Sequence, residues 1–435
     1  MAGSLFQQAR GGRVRKRLGW VGVIARALGH RNFALFFAGQ GLSLCGTWMQ
    51  SLAQSWLVYR LTGSPFLLGL VGFVGQVPVL AFGLFGGLLA DRWPRRRLMV
   101  TTQALSLLQA SLLAALTLNG RITVGWILAL AAMLGTINAL DMPVRQSLVA
   151  DLVPRSDLPS AIGLNSSAFN LARILGPSIA GVIVAAAGEG LCFLLNAASF
   201  LVVIACLMAI RIAPTPRTAH ESHASLLAEG LRYAWHTPHV RALLTLIAVL
   251  SLTAMPYAVV LPVYAGEILK TGPGGLGALM AATGVGALMG ALQIAQRGSI
   301  HGLGTVIAKA AALFGLSLLA LAASAAFWLS LLAIIAVGYG MVTSMASTNT
   351  LLQSLVPDSL RGRVMSLYTI VFLGLAPFGS LLAGTVASHI GTPLTIALGG
   401  AAALVSAAFF WKALPGIRRH VRESGLLPPE EFAAH

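Results

Sequence analysis

The sequence predicts an all-α integral membrane protein of twelve spanning helices, folded as two similar six-helix halves. Three observations predict it: composition, the lengths of the apolar runs, and a repeat between the two halves of the chain. Of 435 residues, 57% are hydrophobic and only 9% charged, against about 25% charged in soluble domains. Mean hydropathy is +0.83. A soluble core cannot absorb that much apolar surface, so the solvent is lipid. Each run exceeds or approaches the ~20 residues a helix needs to cross, and none alternates like the ~10-residue strands of a barrel.

Residues 1–31 form a basic tail with Arg10, Arg13, Arg15, Lys16 and Arg17, read as uncleaved because the apolar run after it is too long for a signal peptide. Spans are expected at 33–59, 65–90, 98–118, 122–143, 159–187 and 190–211. Gly63-Ser64-Pro65 and Asn119-Gly120 mark turns between them. The polar connection 212–238 opens with Pro214 and Pro216, and its Leu226, Leu227, Leu231, Tyr233 and Trp235 suit a helix lying at the membrane surface. Six further spans are expected at 240–265, 275–296, 303–324, 327–350, 361–387 and 392–413, before a polar tail, 416–435. The two bundles therefore occupy 32–211 and 239–415.

Charge orients the chain. Of 29 Lys and Arg residues, Arg60, Arg121 and Lys270 fall on one side and Arg173 inside span 5; all the others lie in the tails and the opposite loops. Basic loops stay in the cytoplasm, which predicts a bacterial-type inner membrane protein with both termini cytoplasmic. The net charge of +17 would suit nucleic acid only if it were clustered, and it is scattered over short loops. Cys45, Cys192 and Cys206 sit in or beside apolar runs at no metal-ligand spacing, as small core residues. With no His, Asp or Cys cluster at one bilayer face and no Walker loop, neither enzyme, metal nor cofactor is expected.

The repeat appears on shifting the chain by 203 residues. Leu152-Val153-Pro154 then falls on Leu355-Val356-Pro357, Gly176 on Gly379, Ala180-Gly181 on Ala383-Gly384, Gly188 on Gly391, and Gly87 on Gly290. Two halves folded alike explain it, and transporters built this way hold their substrate at the seam.

Gly87-x-x-x-Asp91-Arg92-x-x-Arg95-Arg96, after the second span, resembles motif A of the major facilitator superfamily. Asn170-x-x-Arg173-x-x-Gly176-Pro177-x-x-Ala180-Gly181, Asp141-x-Pro143-x-Arg145 and Arg361-Gly362-Arg363 resemble its proton-coupled exporters of drugs and siderophores. The resemblance implies the major facilitator fold, and a gate in which Asp91 meets the start of span 11 near Leu360, Arg361 and Arg363, with Arg92 or Arg145 sharing the carboxylate. It also makes Gly163, Gly176, Pro177 and Gly181 a motif C-like segment. Pro94 stands where motif A has glycine, and Ile294-Ala295 replace the Asp-Arg pair in the second half.

Physical chemistry supports parts of this independently. Asp91 ends its span, where a carboxylate opposes the helix dipole, so it needs an outside partner; a helix N-terminus offers one. Arg92, Arg95 and Arg96 read equally as a topology signal. Arg173, deep in a span, is costly unless it faces a cavity or a partner. It is either a substrate or coupling contact or a tie between helices. Gln40, Ser43, Thr47, Gln50 and Gln54, spaced alternately three and four apart, hold one helix face that must meet protein or water. Cavity lining and inter-helix hydrogen bonding both fit. Thr343, Ser347 and Thr350 repeat the pattern more weakly, and Gln76, Asn138 and Asn170 are further lining candidates. Asp141 is the acidic residue placed within a span, one turn before Arg145, as a coupling group or a local ion pair. The expectation is a secondary transporter, working as a monomer by proton-coupled efflux of small amphipathic molecules. A facilitator, a lysolipid flippase, or a sensor on the same fold is the alternative.

Overall fold

A computed structural model describes residues 26–210, 224–297 and 299–423, without the side chains of 84–92, 224–228 and 420–423. The expected basic tail up to residue 25, the first part of the connection and the tail beyond 423 lie outside the described residues. So do Gly87 and the side chains of Asp91 and Arg92.

The first half comprises α1 (Arg31–Thr62), α2 (Pro65–Arg92), α3 (Arg95–Leu118), α4 (Val124–Leu152), α5 (Leu158–Ala187) and α6 (Glu189–Ala209). After a short helix, α7 (Ala224–His236), the second half comprises α8 (Pro238–Ile268), α9 (Gly272–Ala295), α10 (Leu303–Ala323), α11 (Phe327–Leu355), α12 (Asp358–Ile390) and α13 (Thr392–Glu423). Eleven of these are long and apolar enough to cross a membrane on that ground alone. The twelfth crossing, α1, is 32 residues long; its polar stripe lowers its hydropathy, and it runs packed between α5 and α6. The turns expected at Gly63 and Gly120 have left-handed backbones, with φ of 58° and 66°, which glycine adopts without strain.

Packing repeats as the sequence does. In the first half α2 packs on α4, α3 on α4 and α6, and α1 on α5 and α6. In the second, α9 packs on α11, α10 on α11 and α13, and α8 on α12 and α13. The Leu-Val-Pro repeat now has a cause. Val153 and Val356 are extended, with ψ of 152° and 132°, because the residue before proline is driven out of the α region. That ends α4 and α11 at corresponding points. Both helices outlast the expected spans, reaching residues 152 and 355 rather than 143 and 350, since their last turns sit on neighbouring helices rather than in lipid. Span 7 departs from regularity: α8 contains π-helical turns at Leu250–Ala254 and Tyr264–Ile268, flanking Pro256 and Pro262.

The halves meet along two seams, α2 with α12 and α5 with α9. Glycines set the approach. A Cβ on Gly69 would lie 2.5 Å from the Ser380 carbonyl and 2.9 Å from Gly384 Cα; one on Gly277 would lie 2.6 Å from the Pro177 carbonyl. Only small residues allow helix backbones so close. These contacts lie toward the ends remote from the termini. At the opposite end Gly163 of α5 and Gly362 of α12 have open space around them. The close glycine approaches described between the halves are thus at the end remote from the termini.

Candidate functional site

Two cavities follow from that geometry. The first, about 430 Å³, lies between the halves. Thr47, Gln50 and Gln54 of α1, Gln76 of α2 and Asn138 of α4 line it from one half; Val259 and Pro262 of α8 and Met280 of α9 line it from the other. The first-half wall thus sets these polar groups among apolar ones such as Trp48, Leu68, Val71 and Leu134, and the second-half wall is apolar.

The second cavity, about 250 Å³, lies inside the first half and shares Thr47, Gln50 and Asn138 with the first. Gln40, Ser43, Gln103, Ser106, Asp141, Arg145 and Asn196 complete its polar lining. The α1 stripe therefore does both things expected of it. Gln40, Ser43 and Gln50 are buried within the half, while Thr47 and Gln54 reach the seam. Gln50 Nε2 donates to Gln109 Oε1 at 3.1 Å, and Asn196 Nδ2 donates to Gln50 Oε1 at 2.8 Å, tying α1 to α3 and α6. Gly46 makes room for this, since a Cβ there would stand 2.5 Å from Asn196 Oδ1.

Asp141 is almost wholly buried, at 2% exposure. Thr102 Oγ1 and Gln103 Nε2 donate to its Oδ1 at 2.7 and 2.8 Å, and Arg145 Nε donates to Oδ2 at 3.0 Å. Burying a carboxyl group is costly unless it is paired and hydrogen-bonded, and Asp141 is both. The Oε1 atoms of Gln40 and Gln103 are buried with no protein partner, so the chamber holds unsatisfied acceptors beside an ion pair. The second half has no counterpart. At the shifted positions Gln50, Gln103, Gln109, Asp141, Arg145 and Asn196 become Thr253, Val306, Ala312, Ser344, Thr348 and Gly399.

Arg173 is partly buried beside the α5–α9 seam. Its Nη2 donates to Asn170 Oδ1 at 3.3 Å, its buried Nε has no protein partner, and Tyr257 of α8 lies within electrostatic range. Asn170 also donates to the Ser166 carbonyl of its own helix. Gly176 packs α5 on α1, where a Cβ would meet Trp48 Cβ at 2.6 Å, and Gly181 and Pro177 press on α9. Gly163 touches nothing.

Thr343 and Ser347 are buried, as Gln40 and Gln50 are, and line neither of the two cavities; Thr343 Oγ1 sits against Gly290 of α9, where side-chain volume would block the contact. Thr350 bonds back to the Ala346 carbonyl of its own helix, as exposed Thr does. None of the described gate arginines Arg95, Arg96, Arg361 and Arg363 pairs across the α2–α12 or α5–α9 seam. Arg95 pairs with Asp151 at 2.6 Å, joining α3 to α4. Arg96 donates to the Leu207 and Met208 carbonyls, both at 2.7 Å, satisfying the free end of α6. Arg361 pairs with Asp358 at 2.5 Å and Arg363 with Glu229 of α7 at 2.5 Å. Leu360 lies in the first turn of α12, its N–H bonded to the Pro357 carbonyl. The latch implied between Asp91 and the start of α12 rests on side chains outside the described ones. Thr102, Gln103, Gln109 and Asn196 were not singled out from sequence, although Thr102, Ser106 and Gln109 form a second polar stripe, spaced four and three.

Residues 25–431 match the family model described as transmembrane secretion effector, a branch of the major facilitator superfamily. The chain belongs to that family. It is a multi-pass membrane transporter and not an enzyme. The transporter is 27% identical over 368 residues to the multidrug efflux pump Tap of Mycolicibacterium fortuitum, covering 82% of this chain and 88% of that one. It is 31% identical over 174 residues to the staphyloferrin A transporter of Staphylococcus aureus, covering 40% of this chain and 44% of that protein. Among solved structures it shares its fold with a bacterial homologue of the iron transporter ferroportin in an inward-facing state, with a TM-score of 0.69 at 16% identity over 88% of this chain and 98% of that one. The nucleoside transporter NupG (D323A mutant) gives a TM-score of 0.70 at 13% identity, over 89% and 99%.

Proposed function

We propose that the transporter exports small amphipathic molecules, drugs or siderophores, by alternating access driven by inward proton flow. It works as a monomer in a bacterial-type inner membrane with both termini cytoplasmic. One observation carries this reading: a chamber between two similar halves, with Thr47, Gln50, Gln54, Gln76 and Asn138 set among apolar residues on one wall and apolar residues alone on the other. An amphipathic solute fits such a wall pair. With the termini cytoplasmic, the close glycine contacts at the remote ends support an inward-facing arrangement, in which substrate would enter from the cytosol. Rocking about the glycine contacts would then open the other side, and Asp91 would meet the start of α12 as the cytoplasmic ends close.

Proton coupling has two candidates, Asp141 and Arg173. Asp141 is favoured because it is a buried carboxylate beside a polar chamber that shares lining residues with the seam cavity. Arg145, Thr102 and Gln103 hold its two oxygens in place. The test is uptake into inverted membrane vesicles under an imposed pH gradient, scanned over antibiotics and siderophores. Accumulation that collapses with the gradient is the expected result; gradient-independent equilibration of every compound overturns proton-driven export.

A further inference from the structure

We infer that the terminal-side wedge between α8 and α13 is a binding site for one anionic glycerophospholipid. The two helices touch where Gly399 meets α8: a Cβ there would stand 2.6 Å from the Thr253 carbonyl. From that contact they splay toward the terminal end, leaving a groove of about 660 Å³. Leu246 and Val249 of α8 and Val405, Phe409 and Phe410 of α13 form its apolar walls, and no residue of the first half lines it. It opens at the surface, with Val405 55% and Phe409 68% exposed. From Arg241 to Val249 it runs eight residues, about 12 Å at 1.5 Å per residue, enough for the upper part of an acyl chain.

The mouth carries the charge. Arg241, exposed and among the lining residues, stands one turn into α8, and its Nη1 donates to the Trp235 carbonyl at 3.3 Å. Lys412 is exposed beside Ala413 of the lining, and no acidic residue lines the groove. Trp235 and Trp411 are exposed at the same end, 66% and 49%, as interfacial aromatics are. Basic pockets between helices at that depth suit phosphate headgroups. An apolar slot for a chain and a cationic mouth for a phosphate commit the site to a phospholipid of net negative charge rather than a zwitterionic one. Because Arg241 also holds the carbonyl of Trp235 in α7, an occupied site would brace the connection between the halves.

The experiment uses full-length protein, delipidated in mild detergent, offered phosphatidylglycerol or phosphatidylcholine of the same acyl chains, with bound lipid counted by native mass spectrometry. Wild type is expected to retain phosphatidylglycerol at least fivefold over phosphatidylcholine. Arg241→Ala should bring retention down to the phosphatidylcholine level. Val405→Trp, at an exposed position that leaves the core intact, should lose phosphatidylglycerol by blocking the slot. Arg155→Ala, an exposed cation on the first half, should retain it as wild type does. Equal retention of the two lipids by wild type, undiminished phosphatidylglycerol on Val405→Trp, or an equal loss in Arg155→Ala would each overturn the site.

Discussion

Asp141 shows how one side chain concentrates the chemistry of a half. Its carboxylate accepts from Thr102, Gln103 and Arg145, so its removal strands three donors at once. Asp141→Leu is expected to destabilise the transporter by about 3 kcal/mol, the lower range for breaking a buried pair, read as a lower thermal midpoint in detergent. Asp141→Asn keeps the shape and, through its carbonyl oxygen, the bonds from Thr102 and Gln103, losing only the acceptor for Arg145; it should fold, exchange substrate downhill, and lose accumulation against a gradient. Full gradient-driven accumulation by Asp141→Asn would reduce the residue to a local ion pair. Arg173 and Arg96 make a second contrast. Arg96 satisfies two carbonyls at the end of α6, a role water can share, whereas Arg173 sits partly buried by the seam with an unused donor. A charge-assisted hydrogen bond is worth about 1.5–3 kcal/mol, so Arg173→Ala should lower transport roughly tenfold or more, and Arg96→Ala far less. Equal losses would make Arg173 a helix tie.

Among the elements, what the sequence disclosed and what it hid divide on a physical line. Span positions, the repeat and the surface helix α7 were legible because they follow from hydropathy and from proline and glycine at fixed spacing. The destination of a polar face was not. The α1 stripe is regular in sequence, yet Gln50 turns inward to Gln109 and Asn196 while Gln54 reaches the seam, a choice made by helices more than fifty residues away. Thr343 looks like part of the same kind of stripe and packs against α9, because Gly290 lets α11 come close. Arg95 and Arg96 belong to a motif whose implied partner is across the seam, and in the state described they serve helix ends of their own half. Backbone approach at glycine is likewise invisible without its partner helix. Gly384→Val illustrates the cost: a Cβ at 384 already falls 2.8 Å from Gly69 Cα and 2.6 Å from the Pro65 carbonyl, and overpacking costs about 1–3 kcal/mol. The expected result is a transporter that inserts normally, melts earlier and transports poorly; Gly163→Val, at a position open on all sides, should be silent on stability. A Gly384→Val protein with wild-type melting would mean the α2–α12 seam is not tightly closed.

For the whole molecule, the halves share a packing plan but not a chemistry. The first encloses a network of amides and an ion pair; the second has no amide or charge at the corresponding positions, with Gly399 against α8 where Asn196 reaches Gln50. Internal hydrogen bonds of this kind fix one arrangement of helices inside a half, which suits a body that rocks as a unit. Motion is then concentrated at the seams, where contacts are small residues and apolar rings with little geometric preference. Phe73 of α2 and Phe378 of α12 are such a contact, their ring centroids 5.6 Å apart and edge-on. If alternating access requires this end to open, Phe73→Cys with Phe378→Cys, in a background freed of Cys45, Cys192 and Cys206, should transport until joined by a short bismaleimide and then stop. Either single cysteine treated with the same reagent should keep transporting. Undiminished transport by the fully cross-linked protein would mean that the remote ends never part, and the two halves could not be the moving bodies.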